Sequence, residues 1–581
     1  MLDYSDYISD TPDLSYDNFA QLLDAISRAY PDSDAILHRA GKQREFTRLT
    51  FARFAEECRR IARGLLAAGL VKGDRVALWA ENRPEWMIIW MGAVIAGLVI
   101  VPIDFLISEK EALNIIKITK AKALFYSSSK RLFASSLALK GVSPASSVCI
   151  SPDTEDSGQS AEFAQFGAGA ETLSLPPLDA VAPDAPASIV FTSGTTGLAK
   201  GVTLSHKGII ANASAALRIL TLSRTDVFLD VLPLHHTYPT TCSFISPLAF
   251  GIPTVIADKI VGKVVVDDIR DAGVTHVLGV PLLFEKMMSA IDAGYQKLPA
   301  IIRLPLNALR AAALSQAKKG NPEFGAKAFR FIRKKAGLQS VKMMVAGGGA
   351  LNPKTADFFD SLGFNIVHGY GMSENGPLIS VNTPRYKRNV SVGLPVSYTE
   401  VKIIDPSPEG IGEIAVKSPS LMLGYFENEE ATREVFDADG WLLTGDLGYR
   451  DEDGFIYIKG RKKNLIVSAG GKNIYPEEIE VCFSGSRAIA EILIVGRKDA
   501  DSGEQIFAVT VPNYEAVKED QPGKENDDEF IQGLIKAEIE ETNRSLPVYK
   551  KISDFAVRKE PFEKNAQQKI KRFLYKEYEN A

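Results

Sequence analysis

Residues 189–206 read IVFTSGTTGLAKGVTLSH. A short apolar run, Ala187, Ile189, Val190 and Phe191, predicts a buried strand, which opens into Thr192, Ser193, Gly194, Thr195, Thr196 and Gly197 before closing on Lys200 and Gly201. That composition suits a phosphate cradle. Glycines let several backbone N–H groups converge on one anion, hydroxyls add donors without bulk, and one lysine supplies the countercharge. The kinase and ATPase loop ends in Gly-Lys followed by Ser or Thr, whereas Lys200 stands between Ala199 and Gly201. The stretch is therefore read as a phosphate loop of another kind, with a solvated Gly/Thr linker between two strands as the alternative.

Working outward, 581 residues are too many for one core and imply about three or four compact units. A net charge of −5 offers no strong basic excess, which argues against nucleic acid as the main partner. Cys58, Cys149, Cys242 and Cys482 lie far apart without paired spacing, so neither a disulfide framework nor a zinc site is expected, and a reducing cytoplasm fits best. The acidic start MLDYSDYISD lacks the basic region of a secretory signal. Residues 86–103 are uncharged and about long enough to span a membrane, but Gly97 and Pro102 divide them into a helix and a parallel strand.

Helix and strand patterns alternate from Tyr16 through Tyr126, the signature of a parallel α/β layer, and residues 143–186 read as a loop-rich connection. Beyond the phosphate loop a helix is predicted over 207–220, then an apolar strand over 227–234 ending in His235-His236-Thr237-Tyr238. A strand's carboxyl end is where open α/β sheets bind ligands, so His236 is expected to line a substrate cavity. Residues 299–338 break the rhythm. They are helical and rich in cations from Lys318 to Lys335 beside Leu306, Leu309, Phe329 and Ile332, and read either as a peripheral membrane contact or as a solvated helical excursion.

Three further stretches carry chemistry. Ala346-Gly347-Gly348-Gly349-Ala350 is a turn where backbone can approach a flat ligand. Gly369-Tyr370-Gly371-Met372-Ser373-Glu374 brings a ring, a hydroxyl and a carboxylate off one strand end, suited to stacking on a base and holding a metal on its phosphates. In residues 441–480, Asp446 can accept two hydrogen bonds from a ribose diol, and Arg461 follows a hairpin turning at Asp453-Gly454. A domain boundary is placed at Lys463, giving domains of 1–462 and 463–581.

Five stretches, TSGTTGLAKG at 192–201, LPLHHTY at 232–238, YGMSE at 370–374, TGDLG at 444–448 with GRKKNLIVSAGGKNIYPEEIE at 460–480, and QKIKR at 568–572, together resemble the adenylate-forming superfamily of acyl-CoA synthetases, luciferases and peptide-synthetase adenylation domains. The resemblance implies an α/β fold: a large N-terminal domain of several subdomains, with parallel α/β layers and a β-rich part, and a small mobile α+β lid. It implies ATP, Mg²⁺ and coenzyme A as cofactors. Thr192, Ser193, Gly194, Thr195, Thr196 and Lys200 would hold the pyrophosphate portion of ATP, and Glu374 with Thr192 the Mg²⁺. Gly348, Gly349 and Tyr370 would bracket the adenine, Gly371 and Ser373 would belong to the same cofactor-binding set, and Asp446 and Arg461 would bind the ribose. Lys463 would be the hinge, and Lys569, with Glu374 and His236, the catalytic set.

Two positions depart from the family pattern: Ser373 where Thr is common, and Gln568 where Gly usually precedes the catalytic lysine. Amino-acid-activating relatives carry an early Asp in the region of 235–241, and this chain has His-His-Thr-Tyr-Pro-Thr-Thr, so an uncharged acid is expected. The basic insertion at 299–338 resembles long-chain fatty acyl ligases. The expected partners are a medium- to long-chain fatty acid and coenzyme A. An acyl carrier protein is the alternative acceptor, and a non-catalytic nucleotide sensor the alternative class.

Overall fold

The computed structural model describes residues 13–39, 45–151, 160–192, 199–220, 222–257, 262–468, 471–499, 503–564 and 569–580. Ser193, Gly194, Thr195, Thr196 and Gln568 lie outside them.

Two large sheets form the body. In the first, seven strands run in the order Ser146–Cys149, Ala123–Tyr126, Arg75–Trp79, Val99–Pro102, Pro186–Thr192, Lys200–Ser205, Gly424–Tyr425, and its first five pair in parallel. The second has nine strands, whose centre, from Asn365–Gly371 through Met343–Ala346, His276–Gly279, Phe228–Asp230 and Thr254–Ile256 to Asp34–His38, is also parallel. Strands buried on both faces read as continuous apolar runs; Ala123–Tyr126 and Val99–Pro102 are buried at every position.

The apolar run at 86–103 divides as its glycine and proline predict. Helix Pro84–Ile95 is buried from Glu85 to Ile95, Gly97 at φ 76° ends it, and Val99–Pro102 follows as a strand. A side chain on Gly92 would stand 2.8 Å from the Cys58 carbonyl, so this glycine lets the helix pack directly on helix Phe51–Ala67. No described helix is long and apolar enough to cross a membrane.

A four-stranded antiparallel sheet, Glu400–Ile404, Gly412–Lys417, Leu442–Arg450 and Ile456–Arg461, is the β-rich part. Two apolar clusters beyond it, one including Ile466, Ile494, Ala508 and Ile535, the other Leu493, Phe507, Phe562 and Tyr575, take all their buried members from residues after 465. The three-stranded sheet Ile489–Asp499, Gly503–Pro512 and Asp554–Val557 lies between them.

Three expectations change. The loop-rich stretch at 143–186 contains the edge strand Ser146–Cys149 and the helix Ala161–Gln165. The apolar run at 227–234 is a strand only over Phe228–Asp230, because the chain then turns through Pro233 toward the histidines. Among the cations of 318–335, Arg333 is buried. Its guanidinium donates to the Gly363 and Val341 carbonyls and lies 4.2 Å from the Phe364 ring centre, so it is a packing residue and not part of a charged surface. Cys58, Cys149 and Cys242 are buried, and Cys482 is exposed.

Candidate active site

The stretch expected to hold phosphate is flanked by paired strands. Strands Pro186–Thr192 and Lys200–Ser205 pair antiparallel, with Thr192 opposite Lys200. The cradle is thus pinned at both ends by one ladder, and no helix N-terminus follows it as in the kinase and ATPase loop. Lys200 Nζ sits 4.8 Å over the Tyr425 ring, and the Tyr425 hydroxyl donates to Glu374 Oε1 at 2.8 Å. One aromatic side chain therefore holds the loop's lysine and the motif's carboxylate together. Tyr425 had no motif to mark it; it arrives because Gly424–Tyr425 adds to the sheet edge beside the hairpin.

Asp446 and Arg461 face each other across neighbouring antiparallel strands. Arg461 Nε donates to Asp446 Oδ1 at 2.8 Å, the Tyr370 hydroxyl donates to Asp446 Oδ2 at 2.6 Å, and Arg461 Nη1 donates to the Thr444 carbonyl at 3.0 Å. Burial works against the Arg461 charge, but Asp446 first, then Tyr370 and Glu374, hold its pKa above the ordinary value. Gly445, at φ 70°, makes the turn that presents Asp446.

The glycine turn and the Gly369–Glu374 segment lie alongside. A side chain on Gly347 would stand 2.9 Å from the Tyr238 ring, and His368 Nε2 donates to the Gly349 carbonyl at 2.9 Å. Gly348 has φ 78°, and Ser373 Oγ lies 3.2 Å from Thr237 Oγ1. At Gly371 a Cβ would fall 2.3 Å from the Pro377 carbonyl oxygen. Gly371→Ala is accordingly expected to cost about 1–3 kcal/mol of stability by overpacking and to weaken nucleotide binding, read by urea denaturation and by nucleotide titration.

The rings of His235 and His236 lie 4.0 Å apart, and His235 Nε2 is 3.6 Å from Asp104 Oδ2. His236 Nε2 has no hydrogen-bond partner among the described residues. Burial pushes both histidines down to about 3, and His206 to about 4. Unfolded, each would take a proton near its ordinary value, so below about pH 6.5 the unfolded chain binds more protons than the folded one. Stability is present above that value and lost as pH falls toward the folded values. Urea denaturation should show a loss of up to about 1.4 kcal/mol per pH unit per histidine between about pH 6 and 4, and a shallower slope in His206→Gln. Buried Asp230, pushed up to about 7 by desolvation, acts with the opposite sign over the same range, so the histidine contribution is read from the difference between the unmodified protein and His206→Gln, and an unchanged slope in that variant would mean that the ring is charged in the fold.

These groups line one cavity of about 3180 Å³. Thr192, Lys200, His236, Gly348, Gly349, Tyr370, Gly371, Ser373, Glu374, Asp446, Arg461, Lys463 and Lys569 all border it. Lys569 is open to the cleft yet surrounded by protein, and that depth, with Arg461 nearby, lowers its pKa, while Asp446 raises it. Lys569 also acts electrostatically on His236. Lys463, in the short turn Lys462–Asn464, is pushed down to about 8 by desolvation, then by Arg461 and Arg572. Across this turn, Lys459 Nζ donates to Glu478 Oε1 at 2.6 Å, and Glu478 Oε2 accepts from Lys550 at 2.5 Å. Asn464 donates to Glu477 at 2.6 Å, and Arg572 pairs with Glu480.

Apolar side chains also border the cavity, among them Ala216, Leu220, Phe228, Cys242, Leu278 and Val381, of which Ala216, Phe228, Cys242 and Leu278 belong to one apolar cluster. Cys242 and Ser246 reach the cavity because Thr240–Ile245 is a π-helix, an irregularity common at functional sites, and nothing in its composition announces it.

Comparison with known proteins places these features in context. A family model described as AMP-binding enzyme matches residues 23–426. The long-chain-fatty-acid–CoA ligase FadD15 of Mycobacterium bovis is 30% identical over 505 residues, covering 83% of this chain and 80% of the relative. A sulfoacetate–CoA ligase of Cupriavidus necator is 28% identical over 513 residues, covering 85% and 88%. Among solved structures, ATP-bound MatB of Rhodopseudomonas palustris superposes with a TM-score of 0.74 at 23% identity over 97% of this chain and 99% of that one, a likeness of fold.

Proposed function

This chain belongs to the AMP-binding enzyme family, and we propose that the acid it joins to coenzyme A is a medium- to long-chain fatty acid. The family chemistry is acid–thiol ligation through an acyl-adenylate, driven by ATP. The observation that supports the acid class is that Ala216, Phe228, Cys242 and Leu278, members of one apolar cluster, border the cavity, where a chain of methylenes would be stabilised.

A carboxylate is a poor electrophile, since thiol attack would have to expel oxide. In the first half-reaction a carboxylate oxygen attacks the α-phosphorus of ATP, and the bond to pyrophosphate breaks in line. Lys200 and the hairpin loop hold the leaving pyrophosphate, Asp446 accepts from the ribose hydroxyls, and Tyr370 with the Gly348–Gly349 turn brackets the base. Lys569 stands where two anions must meet and offsets their charge. Neutral His236, which borders the cavity, would sit beside the acid. In the second half-reaction the thiol sulfur attacks the acyl carbon and AMP leaves.

The donor set fits a hard cation. Glu374 and Thr192 offer oxygen, and since no cluster of three or more metal-ligating side chains occurs among the described residues, Mg²⁺ would take its other ligands from phosphate and water. Bound there it would neutralise phosphate charge. The segment at Lys463 is assigned as the hinge between 1–462 and 463–581, swinging Lys569 away before the thiol enters.

A panel of acids assayed with coenzyme A tests the reading. The highest kcat/KM is expected for saturated acids of medium to long chain, with acetate and sulfoacetate poor. A maximum at a short polar acid would overturn it, and faster transfer to acyl carrier protein than to coenzyme A would reassign the acceptor.

A further inference from the structure

Helix Ala300–Lys318 turns the wrong face outward. Its inner side, with Leu306, Leu309 and Ala313, packs on the core formed by Phe284, Phe329 and Phe359. On the opposite side Ile301, Leu304, Pro305, Ala308 and Ala312 recur at three- and four-residue steps, and all are exposed. Ile301 is 83% and Leu304 70% open to solvent. A helix on the surface of a protein that meets only water places charged and polar side chains there. Here the stripe from Ile301 to Ala312 is apolar, and the first polar side chain on it is Ser315, one turn further on.

The surroundings are cationic. Residues 281–340 contain 11 Lys and Arg against 3 Asp and Glu, in a chain whose net charge is −5. Lys318 pairs with Asp357 and Lys327 with Glu323, and Arg333 is buried. Lys286, Lys297, Lys319, Arg330, Lys334 and Lys335 are exposed, with no carboxylate in ion-pair distance among the described residues. Phe331 adds an aromatic ring, 53% exposed, between Arg330 and the last two lysines.

We propose that this face docks on the surface of an anionic lipid bilayer, with Ile301 and Leu304 inserted at the headgroup boundary and the flanking cations on the lipid phosphates. Charge complementarity selects this occupant. A second copy meeting the same face about a two-fold axis would set the two cationic regions against each other, whereas an anionic membrane neutralises them. The helix lies on the bilayer and does not cross it, since no described helix is long and apolar enough to do so. It is also joined to the cavity. Helix Pro281–Gln296, whose Leu282, Glu285, Lys286 and Ser289 border the cavity, is tied to the docking helix by the Tyr295 hydroxyl donating to Asn307 Oδ1 at 2.8 Å. Delivery of an acid from the bilayer into the cavity rests on the fatty-acid reading above; docking itself does not.

The full chain, without substrate, is floated with vesicles of phosphatidylcholine mixed with phosphatidylglycerol, and with phosphatidylcholine alone. Binding is expected to the mixed vesicles and to weaken with salt. Ile301→Gln with Leu304→Gln should lower the partition about tenfold or more, and Lys334→Gln with Lys335→Gln by a smaller factor. Both pairs should keep the unmodified denaturation profile and the unmodified rate on a water-soluble acid. No binding to mixed vesicles at low salt overturns the proposal. So does binding unchanged by the Ile301 and Leu304 substitutions, or a dimer in sedimentation that those substitutions dissolve. Failure of the fatty-acid panel with vesicle binding intact would leave the docking surface and remove only the delivery role.

Discussion

Lys569→Ala is expected to slow adenylate formation by about 10²- to 10³-fold, the loss seen when one preorganised charge stabiliser is removed from a reacting centre. Its ammonium borders the cavity together with Asp446, Arg461 and His236, open to the cleft yet surrounded by protein. Thiol transfer from chemically made acyl-adenylate should run at near the unmodified rate, because the lysine's task ends with the departure of pyrophosphate. ATP–pyrophosphate exchange reads the first half-reaction, and thioester formation from synthetic adenylate reads the second. Lys463→Pro, which fixes the backbone where the lid turns, should show the reverse pattern. Equal losses in both half-reactions for Lys569→Ala would refute the two-pose mechanism.

Asp446→Ala should raise the KM for ATP about ten- to a hundredfold. Asp446 accepts from Tyr370 and compensates Arg461, and on the proposed assignment it also offers a carboxylate to the ribose. Removing it leaves the guanidinium without its nearest countercharge and frees the ring assigned to the base. Lys200→Ala should act elsewhere, raising the KM for pyrophosphate in exchange more than that for ATP. An unchanged ATP KM in Asp446→Ala, with the protein folded by urea denaturation, would remove the ribose assignment.

Local chemistry made much of this site readable before any coordinates. The apolar run before the Gly/Thr loop gives the strand Pro186–Thr192, though not its partner Lys200–Ser205, and the turn at Asp453-Gly454 sets the register that brings Asp446 opposite Arg461. Tyr425 could not be read, because its partners Lys200 and Glu374 are distant in sequence and meet it only through an added edge strand. The spacing at 299–338 gives helices but cannot say which side is covered. Leu306 and Leu309, taken with the cations as the amphipathic face, turn inward, Arg333 finds a carbonyl pocket made by the chain near Val341 and Gly363, and the exposed apolar stripe lies on the other side.

Glu478 meets Lys459 on one side of the turn at Lys463 and Lys550 on the other. If the chain hinges at Lys463 as proposed, swinging the lid would separate Glu478 from Lys459 but carry Lys550 along. The carboxylate is therefore never stranded when the latch opens, which removes most of the penalty for parting a half-buried ion pair. Such a clasp sets a bias between two orientations without locking either, and Lys550 decides how steep that bias is: with Lys550→Met, letting go of Lys459 would strip Glu478 of its last cation, and the lid would stay shut for longer.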